Sequence, residues 1–223
     1  MTFSDWKQDQ RIKAKIVEVG KKLTRQGVVG TNEGNLSVID RERHRIFVTP
    51  SGREKESLTP KQILTIREDG SYICREKGFK SSSETSMHLR LYRMRPDVSA
   101  CLHCHSPFAT AFAVNHEPIR SDAMAEMLLL FGGEIPLLPF GMLGTEHIID
   151  GYENHLNKDV FLLANHGLVS VGKTLDEAYG KAITAEMVAK TLFLSRMMGK
   201  NASIPQEQME EFALWSVRQQ QRD

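Results

Sequence analysis

The apolar residues Ile12, Ile16, Val19 and Leu23 recur at helical spacing across residues 5–25, and Gly27 stands where a left-handed C-terminal cap belongs. The chain is therefore predicted to open on an amphipathic helix. The period then shortens: residues 35–39 and 45–49 read as two strands joined by the polar turn 40–44, and Pro50-Ser51-Gly52 ends the second. Residues 63–66 and 71–74 read as a hairpin turning at Asp69-Gly70. Ser81-Ser82-Ser83 is expected to open a helix through Met94, stopped by Pro96.

Beyond it the pattern predicts a strand over 98–105, and Ser106-Pro107 supplies an N-cap and first-turn proline for a short helix carrying Phe108, Ala111 and Phe112. A strand is expected at 135–140 and a helix at 145–156. Residues 159–164 are a short apolar run bounded by polar residues, hence a buried strand, with 169–172 pairing behind it. Thr174 and Glu177 make a capping box for a long helix ending near Gly199, and 203–218 forms a last one. With no repeats, low-complexity runs or linkers, residues 1–223 read as one domain of helices and mostly hairpin-connected strands.

The composition narrows the class. A chain of 223 residues with 40% hydrophobic positions builds a full core, which excludes intrinsic disorder. Twenty-nine basic against 28 acidic side chains leave a net charge of +1, with no electrostatic footprint for nucleic acid. The first residues contain no apolar targeting segment, and no purely apolar run is longer than that at 127–131, which is far short of a membrane span. Cys74, Cys101 and Cys104, an odd count, suit a reducing compartment, so a soluble cytoplasmic protein is expected.

Candidate chemistry begins with the histidines. His103 and His105 lie two apart on a predicted strand, so alternation sends both imidazoles to one face, with Cα atoms roughly 6.6 Å apart. They could share a metal or form a partly buried polar pair. His166, in Asn165-His166-Gly167 just past a buried strand, is either a third ligand or a satisfied loop histidine. Three neutral imidazoles with an open fourth position is the arrangement of catalytic Zn²⁺. Alternation puts Cys104 on the opposite face, in the core, while Cys101 shares the histidine face further back along the strand. His44, His116, His147 and His155 fall in polar turns or on helix faces. A second cluster, Ser81-Ser82-Ser83-Glu84, reads as a capping box, and equally as an anion site built from free N–H groups, a helix dipole and hydroxyls. Asn32-Glu33-Gly34-Asn35 and Thr49-Pro50-Ser51-Gly52 are turns that could complete such a cradle.

Taken in order, Gly34-Asn35-Leu36-Ser37, Thr49-Pro50-Ser51-Gly52, Ser82-Ser83-Glu84 with His88 four residues on, His103-Cys104-His105-Ser106 and Asn165-His166-Gly167 resemble the class II aldolase/adducin family over nearly the whole chain. The resemblance implies a three-layer α/β/α sandwich around a mixed, mostly antiparallel central sheet. It implies one Zn²⁺ per chain, with Mn²⁺ or Co²⁺ as substitutes, on His103, His105 and His166. Glu84 completes the metal shell at rest and becomes the general base once substrate displaces it. Gly34, Asn35, Ser51, Gly52, Ser82 and Ser83 correspond to the positions that hold a substrate phosphate. A homotetramer with active sites between subunits is implied as well, with a small phosphorylated sugar as partner and neither nucleic acid nor membrane.

One position departs from the family's aldolase branch. Where a tyrosine protonates the leaving aldehyde oxygen, an ungapped count back from Gly132-Gly133 lands on Glu126, which is read as its replacement or as a surface glutamate. The function expected is cleavage of a ketose 1-phosphate of the fuculose, deoxypentulose or methylthioribulose type into dihydroxyacetone phosphate and a short aldehyde. The alternatives are a 3-oxo-tetronate 4-phosphate decarboxylase or a pentulose 5-phosphate 4-epimerase on the same scaffold, and a metal-free adducin-like interaction module.

Overall fold

The computed structural model describes residues 2–199, 202–209 and 211. Helix α1 (Phe3–Arg25) opens on a reciprocal capping box between Thr2 and Asp5 and buries Ile16, Val19 and Leu23. Each of those side chains contributes about 1.5–3 kcal/mol on burial, so the apolar stripe rather than intrinsic propensity holds the helix down. Strands β1 (Asn35–Asp40) and β2 (Arg45–Val48) form the first predicted hairpin, and β3 (Leu64–Ile66) with β4 (Tyr72–Cys74) the second. Helix α2 (Thr85–Met94), the central strand β5 (Ala100–Cys104) and α3 (Pro107–Val114) follow. The rest comprises β6 (Ile119–Arg120), α4 (Ala125–Phe131), β7 (Glu134–Ile135), β8 (Leu137–Leu138), β9 (Val160–Leu163), β10 (Gly167–Gly172) and α5 (Leu175–Met198).

Eight strands make one sheet in the order β4-β3-β2-β1-β5-β10-β9-β8, antiparallel at every step except β8–β9, while β6 and β7 form a separate ribbon. Helices α1, α3 and α5 cover one face around Leu36, Leu102, Cys104 and Leu168. Helix α2 and the irregular segment near residues 148–152 cover the other, around Val48, Cys101, Phe161 and Val171. This is the expected three-layer sandwich.

Several elements differ from expectation for local reasons. Pro136 has no N–H for the ladder, so residues 135–140 are split between β7, which pairs with β6, and β8, which pairs with β9. Residues 145–156 form two short 3₁₀ turns, Glu146–Ile149 and Tyr152–His155, because Asp150 leaves the helical region at ψ 136° and Gly151 follows at φ +93°. Helix α2 starts at Thr85, and no capping box joins Ser81 to Glu84. Ser81 is held in a bridge to Pro50, and the Glu84 carboxylate turns toward the histidines instead of back along the helix. The expected helix over 203–218 falls largely outside the described residues.

Candidate active site

Alternation along β5 sends Cys101 into the α2-side core and Leu102 and Cys104 into the opposite one, leaving His103 on the α2 side. His105 sits one residue past the strand end, with its Nε2 3.0 Å from that of His103. The third imidazole comes from the tight β9–β10 connection, where Asn165 takes the left-handed conformation at φ +57°, which asparagine tolerates better than most residues. A Cβ on Gly167 would meet the Cys104 carbonyl at 2.6 Å and the His105 ring at 3.0 Å, so only glycine lets this hairpin close over the two rings. Gly34 is needed for the same reason on the other side, where a Cβ would lie 2.7 Å from the His103 carbonyl. The ring centroids of His103, His105 and His166 are 4.6 to 4.9 Å apart. Glu84, brought in at the head of α2, places Oε1 3.0 Å from His166 Nε2 and Oε2 3.6 Å from His103 Nε2.

The electrostatics suit a cation. Burial lowers the pKa of His103 to about 3 against the opposing pull of Glu84, and burial together with its neighbour His166 lowers that of His105. Burial would raise the Glu84 carboxyl, but the bond to His166, the neighbouring imidazoles and the Asn35 amide hold it well below the usual carboxylate range. His103 Nδ1 donates to the Leu168 carbonyl at 2.9 Å, which leaves its Nε2 as a lone pair facing the cluster. One ligand atom from each of Glu84, His103, His105 and His166 lies within 4.8 Å of the others. Buried lone pairs and an ionised carboxylate converging on one point are the donor set of a divalent metal, and these four residues would hold it.

A buried relay orients Glu84. Asn35 Nδ2 donates to Glu84 Oε2 at 2.5 Å, and the Asn35 carbonyl accepts from His88 Nε2. His88 Nδ1 takes a bond from the Ser37 hydroxyl at 2.6 Å, and Ser37 accepts in turn from Tyr92 at 2.7 Å. This order of donors goes with a neutral His88, and burial lowers its pKa to about 4. Asn35, expected to face phosphate, bonds Glu84 and His88 through its amide, and Gly34, expected beside it, packs on β5. Ser37 and Tyr92 carried no chemical signal in the sequence, since each lies on a regular element at an ordinary core position.

The remaining phosphate candidates come together. The Pro50–Ser81 bridge and a bond from Ser51 N to the Lys80 carbonyl at 2.9 Å set Ser51-Gly52 beside Ser82-Ser83. Ser51-Gly52 also borders a cleft of about 610 Å³ whose rim carries Arg53, Arg75, Lys77 and Lys80, cations contributed by residues outside the predicted motifs. Glu126 is exposed on the first turn of α4 and is not among the four clustered residues. Cys101 and Cys104 are buried, and burial raises both thiols, as expected of packing residues and not of thiolate ligands. His44, His116, His147 and His155 also lie outside the cluster. Among the described residues no helix is long and apolar enough to cross a membrane.

Comparison with known proteins agrees with this geometry. Residues 14–193 match the family described as Class II Aldolase and Adducin N-terminal domain. The 5-deoxy-D-ribulose 1-phosphate aldolase of Bacillus thuringiensis serovar kurstaki is 30% identical over 92% of this chain and 94% of its own length. The L-fuculose phosphate aldolase of Methanococcus vannielii is 35% identical over 74% of this chain and 86% of its own. Among solved structures, an L-fuculose 1-phosphate aldolase superposes with a TM-score of 0.82 at 29% identity, covering 91% of this chain and 94% of that one. The chain belongs to the class II aldolase and adducin family. It is an enzyme of the metal-dependent class II aldolase kind, and the sandwich and the histidine–glutamate cluster are the corresponding fold and candidate metal site.

Proposed function

We propose that the chain is a zinc-dependent aldolase that reversibly cleaves a ketose 1-phosphate of the deoxypentulose, methylthioribulose or fuculose type into dihydroxyacetone phosphate and a short aldehyde. The observation that carries this reading is Glu84, an ionised carboxylate 3.0 Å from His166 at the edge of the three-imidazole cluster, held there by the Asn35–His88 relay. Enediolate chemistry needs a base at that place. Expulsion of CO₂ from an oxo acid does not require one, and an interaction module would have no use for the set. The names of the relatives from Bacillus and Methanococcus support the substrate class.

A divalent cation on His103, His105 and His166 would supply Lewis-acid polarisation of the substrate carbonyl. The chain's own residues do the rest. In the synthetic direction Glu84 takes a proton from the hydroxymethyl carbon of dihydroxyacetone phosphate, and in cleavage it returns that proton to the same carbon. The Asn35 amide keeps the carboxylate turned toward that carbon. Ser51, Gly52, Ser82 and Ser83 receive the phosphate through hydroxyl and backbone donors. Glu126 protonates the aldehyde oxygen in the synthetic direction and takes that proton from the hydroxyl in cleavage, in a tetramer with sites at its subunit boundaries. Exposed Phe140, Met142 and Leu143, just before Gly144 at Ser83, support an assembly face at the site.

The test is condensation. Zinc-loaded enzyme with dihydroxyacetone phosphate and lactaldehyde, acetaldehyde or methylthioacetaldehyde should form a ketose 1-phosphate, and the preferred aldehyde names the substrate. No condensation with any of them, alongside CO₂ release from a 3-oxo-tetronate 4-phosphate or interconversion of pentulose 5-phosphates, would replace this reading with one of those two activities.

A further inference from the structure

Lys55 is among the largest fully buried side chains, 1% exposed, in a single 3₁₀ turn (Lys55–Ser57) that packs on α1. Its stem is confined, since a Cβ added to Gly20 would lie 3.3 Å from Lys55 Cβ. Its Nζ donates to the Arg53 carbonyl at 3.2 Å, and among the described residues this is its one hydrogen bond, with no carboxylate oxygen within 4.0 Å. An ammonium has three N–H donors, so two are left over. Arg95, a buried cation elsewhere in the molecule, is matched instead by Asp97 and Asp159, each at 2.7 Å. Burying a charge without a partner is costly, and replacing it with an apolar group of the same shape removes that cost. An unmatched buried cation is therefore better explained by an anion that arrives with a ligand than by the fold itself.

Its position says which anion. The carbonyl it bonds belongs to Arg53, the residue directly after the Ser51-Gly52 turn, and the carboxylates of Glu33 and Glu84 act on the ammonium from the metal side. No lysine or arginine stands within Ser51-Gly52 or Ser82-Ser83. We infer that Lys55 is the cation of the phosphate subsite, kept buried between the Ser51-Gly52 turn and the metal cluster so that the substrate's phosphoryl group neutralises it. The inference rests on the phosphorylated substrate proposed above and not on the aldol step.

Lys55→Met keeps length and removes charge. Its melting temperature should equal or exceed that of the native protein, and its metal content should be unchanged. The affinity of the metal-replete protein for glycerol 1-phosphate, measured by calorimetry, should fall about 10- to 100-fold, the loss of a charge-assisted hydrogen bond. Native affinity in Lys55→Met would overturn the inference. So would a variant that melts well below the native protein or fails to fold, because Lys55 would then be a brace for the turn. Lys55-dependent binding of glycerol 1-phosphate in a native enzyme that condenses no aldehyde would leave this inference standing and remove the aldolase reading.

Discussion

The two halves of the site are built in opposite ways. The metal half is interior: His103 is fully buried, Glu84 and His166 have side chains only 14% and 10% exposed, and backbone from β5 presses against Gly34 and Gly167. The phosphate half is two open turns, with Gly52 and Ser83 exposed and a cationic rim alongside. His103 is positioned by a strand and a buried hydrogen bond, Glu84 by a helix head and the Asn35 amide, and His166 by a tight connection, which suits a reaction that tolerates little displacement of its base. The phosphate half needs only donors and charge, and an open mouth lets substrate enter. Fixed chemistry sits in the core, and binding sits at the rim.

The comparison breaks first at the metal. His166→Ala should reduce bound metal from one ion per chain to a small fraction, with turnover lost along with it, while the far-ultraviolet spectrum stays native; elemental analysis decides this. Metal retained in the variant would detach the cluster from function.

Glu84→Gln should keep metal on the three imidazoles and lower exchange of the dihydroxyacetone phosphate α-proton with deuterated solvent by roughly 10²- to 10⁴-fold. The fold should survive, because the side chain makes no cap bond to α2 and the glutamine oxygen can still accept from the Asn35 amide. Exchange at the native rate would leave Glu84 as a ligand only.

On the open half the effect is smaller and of a different kind. Ser83→Ala should raise KM for the phosphorylated ketose about tenfold, the worth of one hydrogen bond to a charged group, with kcat and metal content nearly native. A drop in kcat with KM unchanged would place Ser83 with the reacting groups instead.

A further effect, outside catalysis, is on stability against pH. Burial lowers the pKa of His88 from 6.5 to about 4. Between those values the unfolded chain binds the extra proton, so the stabilisation is complete above pH 6.5 and declines as pH falls toward 4, by at most on the order of 3 kcal/mol. Urea midpoints of His88→Gln should fall less steeply over that window than those of the native protein. Parallel slopes would mean that the fold does not hold this imidazole neutral.

Much of this was legible in the chain because it depends on local periodicity. The spacing of Ile12, Ile16, Val19 and Leu23 predicts α1, and two-residue alternation in β5 predicts that His103 faces away from Cys104, as observed. The interruptions were less legible. Pro136 and Gly151 stand in the sequence, but whether each bends an element or divides it depends on which neighbours offer pairing. Ser81 to Glu84 satisfies the spacing of a capping box, yet the bridge to Pro50 and the bonds of Glu84 to His166 and Asn35 outweigh a local bond generally worth about 1 kcal/mol.

By itself, the sequence determined the strand and helix periods, the shared face of His103 and His105, and the set of residue types able to hold a metal, since all of these follow from spacing along one backbone. Only the tertiary structure decided that Asn35 holds Glu84 with His88 behind it, that Ser51 lies beside Ser82, and that Lys55 is buried with no carboxylate in ion-pair contact. Those are relations between segments 31 to 53 residues apart, created when β1, α2 and the turn after β2 pack together, and no local period encodes them.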